Sequence, residues 1–123
     1  MRFLLVAMLC AGQAGLPPPA EEEGVASYYS AALIGKKTAS GELYDAEAET
    51  CAHRTAPFGT WLRVTVVDTG LSATCRVNDR GMRRNGRIVD VSKRVARALN
   101  LLQRGTARVR VMPMIPDGGP PPQ

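Results

Sequence analysis

The sequence predicts a mainly β protein, folded as a small barrel of short strands with one helix. Several short segments alternate apolar and polar residues and are rich in Val and Thr, as in half-buried strands. Only the segment that follows Ser92 has apolar residues at helical spacing. Aromatic residues make up only 5% of the chain, so the core must be aliphatic. Short strands with one helix in about 90 foldable residues are typical of a small β-barrel.

The length and charge limit the class of protein. A chain of 123 residues has room for one domain. The formal net charge of +5 and the pI of about 9.6 favour an anionic partner such as a nucleic acid, a membrane surface or a cell-wall polymer. No phosphate-binding loop or nucleic-acid motif accompanies this charge, so we do not predict nucleic-acid binding.

The first 14 residues are predicted to be a secretory signal peptide. Arg2 supplies a positive charge, an apolar run covers residues 3–11, and small residues at 12 and 14 fit a cleavage site. The run is too short to span a bilayer. The alternatives are a disordered N-terminus and a misassigned start codon. We therefore expect an exported protein of the periplasm or cell envelope. Lipid anchoring through Cys10 is disfavoured because Leu9 precedes it where a small residue is normal.

The composition also sets the domain boundaries. Residues 15–23 (GLPPPAEEE) combine prolines with glutamates and are predicted to form a stiff, charged linker. Residues 113–123 (PMIPDGGPPPQ) are predicted to be a disordered tail. The folded domain is accordingly expected to span residues 24–112.

Five strands and one helix are predicted within that domain. The strands are Val25–Tyr29, Trp61–Val67, Leu71–Val77, Arg87–Val91 and Thr106–Met112. Asp68-Thr69-Gly70 should form a hairpin in which the glycine takes the positive φ. Ser92 is the expected N-cap of the helix and Gly105 its C-terminal cap. The expected buried face of the helix consists of Val95, Ala98, Leu99 and Leu102, and the solvated face of Lys93, Arg94, Arg97 and Arg104.

Two cysteines, Cys51 and Cys75, lie inside the predicted domain. In an oxidising compartment such a pair favours a disulfide, here closing a loop of about 25 residues and contributing about 3 kcal/mol. The alternative is two buried free thiols that pack as small hydrophobes. A single histidine and two cysteines this far apart do not make a zinc pattern, and we predict neither a metal nor a cofactor.

Four segments carry recognisable motifs, in a fixed order. They are residues 24–29 (GVASYY), 37–45 (KTASGELYD), 52–60 (AHRTAPFGT) and 76–81 (RVNDRG), followed by 86–92 (GRIVDVS) and 105–111 (GTARVRV). Together they resemble the RlpA (rare lipoprotein A)-like double-psi β-barrel family over nearly the whole predicted domain. The resemblance implies a six-stranded double-psi β-barrel with one short helix. The chain departs from the family pattern at Ser30 and at Met82-Arg83.

The resemblance also implies an activity. Enzymes of this family are endolytic lytic transglycosylases, which cut the β-1,4 bond between N-acetylmuramic acid and N-acetylglucosamine in peptidoglycan and leave 1,6-anhydromuramoyl ends. Ordinary glycoside hydrolysis needs two carboxyl groups. Here the muramoyl C6 hydroxyl replaces water, so one carboxyl group can serve both proton transfers.

The catalytic residues implied by the resemblance are Asp79, His53 and Glu42. Asp79 would be the acid and base, with partial burial or the nearby Glu42 favouring its protonated form. His53 would hydrogen-bond Asp79 or the sugar. Glu42 would orient the substrate or stabilise the charged transition state. The alternatives are a turn-capping aspartate, a structural histidine and an exposed loop glutamate.

Further residues are assigned to substrate binding or to structure. Tyr28 and Tyr29 could stack on sugar rings, although one of them could fill the core. Arg80 would bind substrate, with its guanidinium turned away from Asp79. Asp45 and Asp90 are expected to satisfy backbone donors near turns and near the helix start.

The enzyme is predicted to be a monomer whose partner is the peptidoglycan glycan strand. Two other functions fit the same fold. The principal alternative is a non-catalytic polysaccharide-binding module of the kind found in expansins. A third is a secreted factor or inhibitor that uses the barrel as a protein-binding scaffold. A family resemblance indicates the fold more firmly than the activity.

Overall fold

A computed structural model describes residues 21–81 and 86–114. Its strands are β1 (Glu22–Tyr28), β2 (Thr50–His53), β3 (Trp61–Val66), β4 (Ser72–Asp79), β5 (Arg87–Val91) and β6 (Ala107–Pro113). A 3-10 turn covers Ala31–Leu33, and one helix, α1, covers Lys93–Ala98. The predicted signal peptide, Cys10, Met82-Arg83 and most of the predicted linker and tail lie outside the described residues. Within those residues no helix is long and apolar enough to cross a membrane.

The six strands close into a barrel in the order β1-β5-β2-β4-β3-β6. Two neighbouring pairs, β1–β5 and β2–β4, are parallel, and each contains a register irregularity. The other four pairs are antiparallel. The predicted six-stranded double-psi β-barrel with one short helix is therefore confirmed.

The core is aliphatic, as predicted from the low aromatic content. In β3 the side chains of Leu62, Val64 and Val66 are buried, whereas the residues between them are exposed or half-buried. The strand β6 repeats this alternation with Val109 and Val111. A period of two places one face of each strand in the barrel interior, so these segments could be recognised from sequence.

A disulfide joins Cys51 on β2 to Cys75 on β4, with 5.7 Å between their Cα atoms. Both residues are almost fully buried. The predicted bridge is confirmed, and the alternative of two free thiols is wrong. The bond therefore reinforces, from inside the core, the parallel pairing of β2 with β4.

The predicted linker extends too far. Strand β1 begins at Glu22, two residues before the expected boundary at Gly24. The backbone of Glu22 and Glu23 pairs with Val111 and Arg110 of β6. Charged residues suggested a solvated linker, yet a barrel strand tolerates them where their side chains find partners. At the other end, β6 includes Pro113, which was assigned to the tail.

The helix is shorter than predicted. It ends at Ala98, and Asn100 takes a left-handed conformation with φ of 60°. Gly105 lies in a later turn, so its predicted capping role is wrong. Because the chain turns at Asn100, Leu101 is fully buried and Leu102 only partly. Within the helix Ala96 is buried, whereas Ala98, expected on the buried face, is exposed. Ser92 caps the helix as predicted, since its hydroxyl accepts the Val95 amide at 3.3 Å.

The basic face of the helix region is exposed, as predicted. Three of its four side chains also form surface ion pairs with acidic residues outside the helix. The pairs are Arg94–Glu49, Arg97–Glu47 and Arg104–Asp68. Exposed pairs of this kind stabilise a protein only weakly.

Candidate functional site

An open groove of about 340 Å³ lies where the segments that leave β1 and β4 approach each other. Asp79 is the last residue of β4, and Tyr29 follows the last residue of β1. The lining includes Tyr28, Tyr29, Ala52, Asp79, Arg80 and Asp90. Barrel closure therefore gathers polar side chains from motifs that are far apart in the sequence.

The Asp79 carboxyl group is fixed by three hydrogen bonds. Its Oδ1 atom accepts the backbone N–H groups of Ala39 at 2.8 Å and Arg80 at 2.9 Å. Its Oδ2 atom accepts the hydroxyl of Tyr29 at 2.5 Å. Two rigid amide donors thus occupy one oxygen, while the other faces a side-chain hydroxyl in the groove.

Tyr29 is held between Asp79 and a second aromatic ring. It stacks on Tyr44 with 4.3 Å between ring centroids and 22° between ring planes. Burial raises the pKa of the Tyr29 hydroxyl well above its usual range, and its hydrogen bond to Asp79 and the charges of Asp79 and Asp90 raise it further. The hydroxyl therefore keeps its proton at physiological pH and donates to Asp79.

Tyr28 has a more structural setting. Its hydroxyl donates to the carbonyl of Leu102 at 2.9 Å, and its ring packs against the hydrophobic core. It also lines the groove. Of the two predicted sugar-stacking tyrosines, Tyr28 is thus the one that fills the core, whereas Tyr29 contacts the Asp79 carboxyl directly.

Glu42 is bound to the side chains of β4. Arg76 donates to both of its carboxylate oxygens, at 3.2 and 3.1 Å, and Asn78 donates to Oε1 at 2.9 Å. The hydrogen bonds from Arg76, and then that from Asn78, lower the pKa of Glu42. Glu42 is therefore an anion that anchors the loop of residues 37–43. This loop also supplies the Ala39 amide to Asp79.

His53 forms no hydrogen bond with Asp79. Its Nε2 atom lies 2.7 Å from Oε1 of Glu22, and its Nδ1 atom accepts the backbone N–H groups of Thr55 at 3.2 Å and Ala56 at 3.0 Å. Both ring nitrogens are thus engaged, and the expected hydrogen bond from His53 to Asp79 is not formed. The residue lines a different cavity, of about 390 Å³.

Arg80 directs its guanidinium to carbonyl groups and not to the Asp79 carboxylate, as expected. Its Nη1 atom donates to the carbonyl oxygens of His53 at 3.2 Å and Ala56 at 2.8 Å. The guanidinium also lies over the ring of Phe58, 4.2 Å from its centroid. Arg80 is therefore held on three sides, and its position depends on the shape of the 53–57 turn.

Sequence reasoning misplaced Asp90. Asp90 was expected to satisfy backbone donors near the helix. Its carboxylate instead accepts the Ser27 hydroxyl and Nη2 of Arg87, the latter at 3.1 Å, and lines the same groove as Asp79. The spacing of Arg87 and Asp90 on one strand was the available signal. Asp45 does have the predicted role, since its Oδ1 atom accepts the Glu47 amide at 2.9 Å.

We also searched the described residues for side chains that could bind a metal ion. In residues 21–81 and 86–114 no group of three or more His, Cys, Asp or Glu side chains is arranged to hold one.

Comparison with known proteins identifies close sequence relatives. The family model described as lytic transglycolase matches residues 21–111. The chain is 49% identical over 89 residues to the "probable endolytic peptidoglycan transglycosylase RlpA" of Treponema pallidum. The aligned region is 72% of this chain and 28% of that protein. The chain is 42% identical over 100 residues to the endolytic peptidoglycan transglycosylase RlpA of Neisseria meningitidis, covering 81% and 42%. The chain thus spans less than half the length of these relatives.

Solved structures share the fold at low sequence identity. The Streptomyces papain inhibitor matches with a TM-score of 0.63 and 20% identity, over 81% of this chain and 99% of the inhibitor. A mutant Clavibacter michiganensis expansin in complex with cellohexaose matches with a TM-score of 0.61 and 22% identity, over 82% and 54%. These likenesses show a common barrel fold.

Proposed function

The chain belongs to the lytic transglycolase family of double-psi β-barrels, and on this premise we propose that it is an endolytic peptidoglycan lytic transglycosylase. Its reaction is cleavage of the β-1,4 bond between N-acetylmuramic acid and N-acetylglucosamine, with formation of 1,6-anhydromuramoyl ends. The observation that carries the proposal is the Asp79 carboxyl, fixed by three donors in an open groove. The names of the sequence relatives support it.

Asp79 transfers a proton twice in this proposal. The protonated carboxyl first gives its proton to the glycosidic oxygen as the bond from that oxygen to C1 breaks. The C6 hydroxyl of the same muramoyl residue then forms a bond to C1, and its proton passes to the carboxylate. The protonated carboxyl group is thereby restored. The reaction needs no second carboxyl group and consumes no water.

The two oxygens of Asp79 have different parts in this cycle. Oδ1 accepts two backbone amides, which keep the group oriented whether or not it carries a proton. Oδ2 therefore exchanges the proton. When the carboxyl is charged, between the two transfers, the Tyr29 hydroxyl stabilises it by donating to Oδ2. Donors fixed in advance of the reaction cost little reorganisation.

The other predicted site residues support this centre. Glu42 anchors the loop that supplies the Ala39 amide to Asp79. Its proposed role is therefore to orient the Asp79 carboxyl group. Its charge is paired with Arg76. Arg80 and the aromatic ring of Tyr28 line the groove and are proposed to contact the glycan strand, whereas the Tyr28 hydroxyl is bonded to the Leu102 carbonyl.

We also place this activity in the cell envelope, where peptidoglycan lies, with the protein acting as a monomer. The buried Cys51–Cys75 disulfide supports export, because such bonds persist mainly in oxidising compartments. A signal peptide at residues 1–14 remains the predicted route.

The test is a digest of purified peptidoglycan by the wild type and by Asp79→Asn, with products analysed by mass spectrometry. Asparagine keeps an oxygen for the two backbone amides but cannot exchange the proton, so we expect a loss of at least about 10²-fold in rate. The matched control is Asp68→Asn, since Asp68 pairs with Arg104 on the exposed surface. This control should yield anhydromuramoyl ends at the wild-type rate.

The same digest distinguishes the enzyme from a polysaccharide-binding module. If the wild type binds peptidoglycan sacculi but releases no anhydromuramoyl ends, the transglycosylase proposal is wrong. The barrel would then serve as a binding module, in line with the fold it shares with the expansin–cellohexaose complex.

A further inference from the structure

We propose that Glu22 and His53 form a positioning dyad, which shapes the 53–57 turn and thereby sets the place of Asp79. The inference rests on the proposed function, because it concerns how the reacting carboxyl is held. It changes the role of His53 from a catalytic residue to a positioning residue, and it brings in Glu22, which no motif indicated.

The hydrogen-bond partners of His53 define its tautomer. Only 6% of the residue is exposed. Its Nδ1 atom faces two backbone N–H groups, at 3.2 and 3.0 Å. Because amides can only donate, Nδ1 must be the unprotonated acceptor. In the neutral ring Nε2 then carries the proton and donates it to Glu22 at 2.7 Å.

The carboxylate of Glu22 selects this tautomer. In the opposite tautomer an N–H at Nδ1 would point at the two amide N–H groups, and an unprotonated Nε2 would face the Glu22 carboxylate. Both contacts would be repulsive. A fixed second partner of this kind is the usual way in which proteins orient an imidazole ring. Glu22 therefore keeps Nδ1 available to close the turn.

The turn connects His53 to the catalytic group. The carbonyl oxygens of His53 and Ala56, which lie at the two ends of the segment that Nδ1 closes, both accept Nη1 of Arg80, at 3.2 and 2.8 Å. The backbone N–H of Arg80 donates to Oδ1 of Asp79 at 2.9 Å. A continuous chain of contacts thus runs from the start of β1 to the proposed acid and base.

The cavities also separate His53 from the substrate. Glu22 and His53 line the cavity of about 390 Å³, together with Thr60 and Val111. The groove that contains Asp79 shares no lining residue with that cavity. Both ring nitrogens of His53 are also bonded to protein groups, so neither is free to bond to a sugar. His53 therefore acts through the turn and Arg80.

The first test follows the dyad without any reaction. Glu22→Leu removes the acceptor, whereas Glu22→Gln keeps an acceptor oxygen. Glu23→Leu is the matched control, because Glu23 is the next residue of β1 and pairs with Arg108 at 2.9 Å. Nuclear magnetic resonance would record the ring ¹⁵N shifts of His53 and the backbone amide signal of Arg80.

We expect Glu22→Leu to change both the tautomer signature of His53 and the Arg80 amide signal. Glu22→Gln and Glu23→Leu should leave both near their wild-type values. An Arg80 amide signal that does not respond to Glu22→Leu would overturn the dyad, whether or not the protein is an enzyme.

The second test separates positioning from chemistry at His53. In His53→Asn the side-chain oxygen lies as many bonds from Cβ as Nδ1 does, so it can accept the same two amides. We expect this variant to stay within about tenfold of the wild-type kcat. His53→Ala leaves the turn open and should lose about 10²-fold, as small misplacements of catalytic groups do. Because the turn also holds Arg80, which is proposed to contact the glycan strand, KM should rise in His53→Ala and stay near the wild-type value in His53→Asn.

Equal inactivity of His53→Asn and His53→Ala would show that the imidazole itself is needed and would refute the positioning role. An inactive wild type would instead refute the proposed function, and the magnetic resonance signals would still decide whether the dyad exists.

Discussion

The hydroxyl of Tyr29 gives the candidate site a property that the Asp79 motif alone does not provide. An exposed tyrosine would offer its proton to water as readily as to a carboxylate. Here burial, the bond to Asp79 and the nearby charge of Asp90 all raise the pKa of Tyr29. The hydroxyl is therefore a permanent donor, and it acts on the oxygen that would exchange the proton in the proposed reaction.

Replacing Tyr29 with Phe should lower kcat for peptidoglycan cleavage by about 10²-fold, the usual effect of deleting one fixed donor to a developing charge. The stacking on Tyr44 would be kept, so the free energy of unfolding should fall only by about 2 kcal/mol, the usual contribution of one hydrogen bond to a carboxylate. Initial rates of anhydromuramoyl release and urea denaturation measure the two quantities.

Tyr28→Phe is the control for this prediction. The hydroxyl of Tyr28 donates to the Leu102 carbonyl, so its loss should cost about 1 kcal/mol of stability and leave kcat near the wild-type value. Equal kcat losses in the two variants would mean that the bond from Tyr29 to Asp79 has no special part in the reaction.

At the residue scale, the sequence indicates positions but not partners. Asp79 could be singled out because its motif is local. The partner pairs Glu22–His53 and Ser27–Asp90 are separated by 31 and 63 residues. Such pairs form only when the barrel closes, and no local spacing encodes them. For this reason His53 was expected to bond to Asp79 or the sugar, although its actual partner, Glu22, lies in the segment predicted to be a linker.

At the scale of elements, predictability depends on alternation. Strand β5 has the predicted bounds, and β3 differs by one residue, since both show outward-facing positions. Strand β2 was missed because all four of its residues are buried. It lies between β4 and β5 in the closed barrel, and a strand covered on both faces has no period of two to detect.

The loop of residues 37–43 is an element whose stability should depend on pH. Its anchor is the ion pair between Glu42 and Arg76, at 3.1 Å. The pKa of Glu42 is lower in the folded protein than its unperturbed value of 4.5. The pair therefore stabilises the fold above that value, and the effect is lost as the pH falls through the lower, folded-state pKa.

We expect Glu42→Gln to lower the free energy of unfolding at pH 7 by less than about 1 kcal/mol, since the pair is largely exposed and screened. Toward pH 3 the difference from the wild type should shrink. Urea denaturation at both pH values measures it, and a double-mutant cycle with Arg76→Gln isolates the coupling. A coupling energy that is the same at both pH values would contradict the assignment.

At the scale of the whole molecule, barrel closure converts separate motifs into a site. The groove draws on the GVASYY, AHRTAPFGT, RVNDRG and GRIVDVS segments. Each could be read as an ordinary turn or strand. Their order along the chain predicted the double-psi fold, whereas the positions of the side chains depend on register irregularities at Val25/Ala26 and Cys51/Ala52. Those irregularities change which residues face each other, and composition contains no record of them.

The disulfide is the covalent feature on which the stability of the whole barrel depends. Cys51 and Cys75 are 24 positions apart, and closing a loop of this size restricts the unfolded chain by about 3 kcal/mol. The Cys51→Ala/Cys75→Ala double variant should therefore unfold at a lower urea concentration, with a free energy of unfolding reduced by about that amount. Reductant should shift the wild type in the same direction and leave the double variant unchanged. If reductant leaves the wild-type midpoint unaltered while the thiols are shown to be reduced, the bond does not contribute the stability assigned to it.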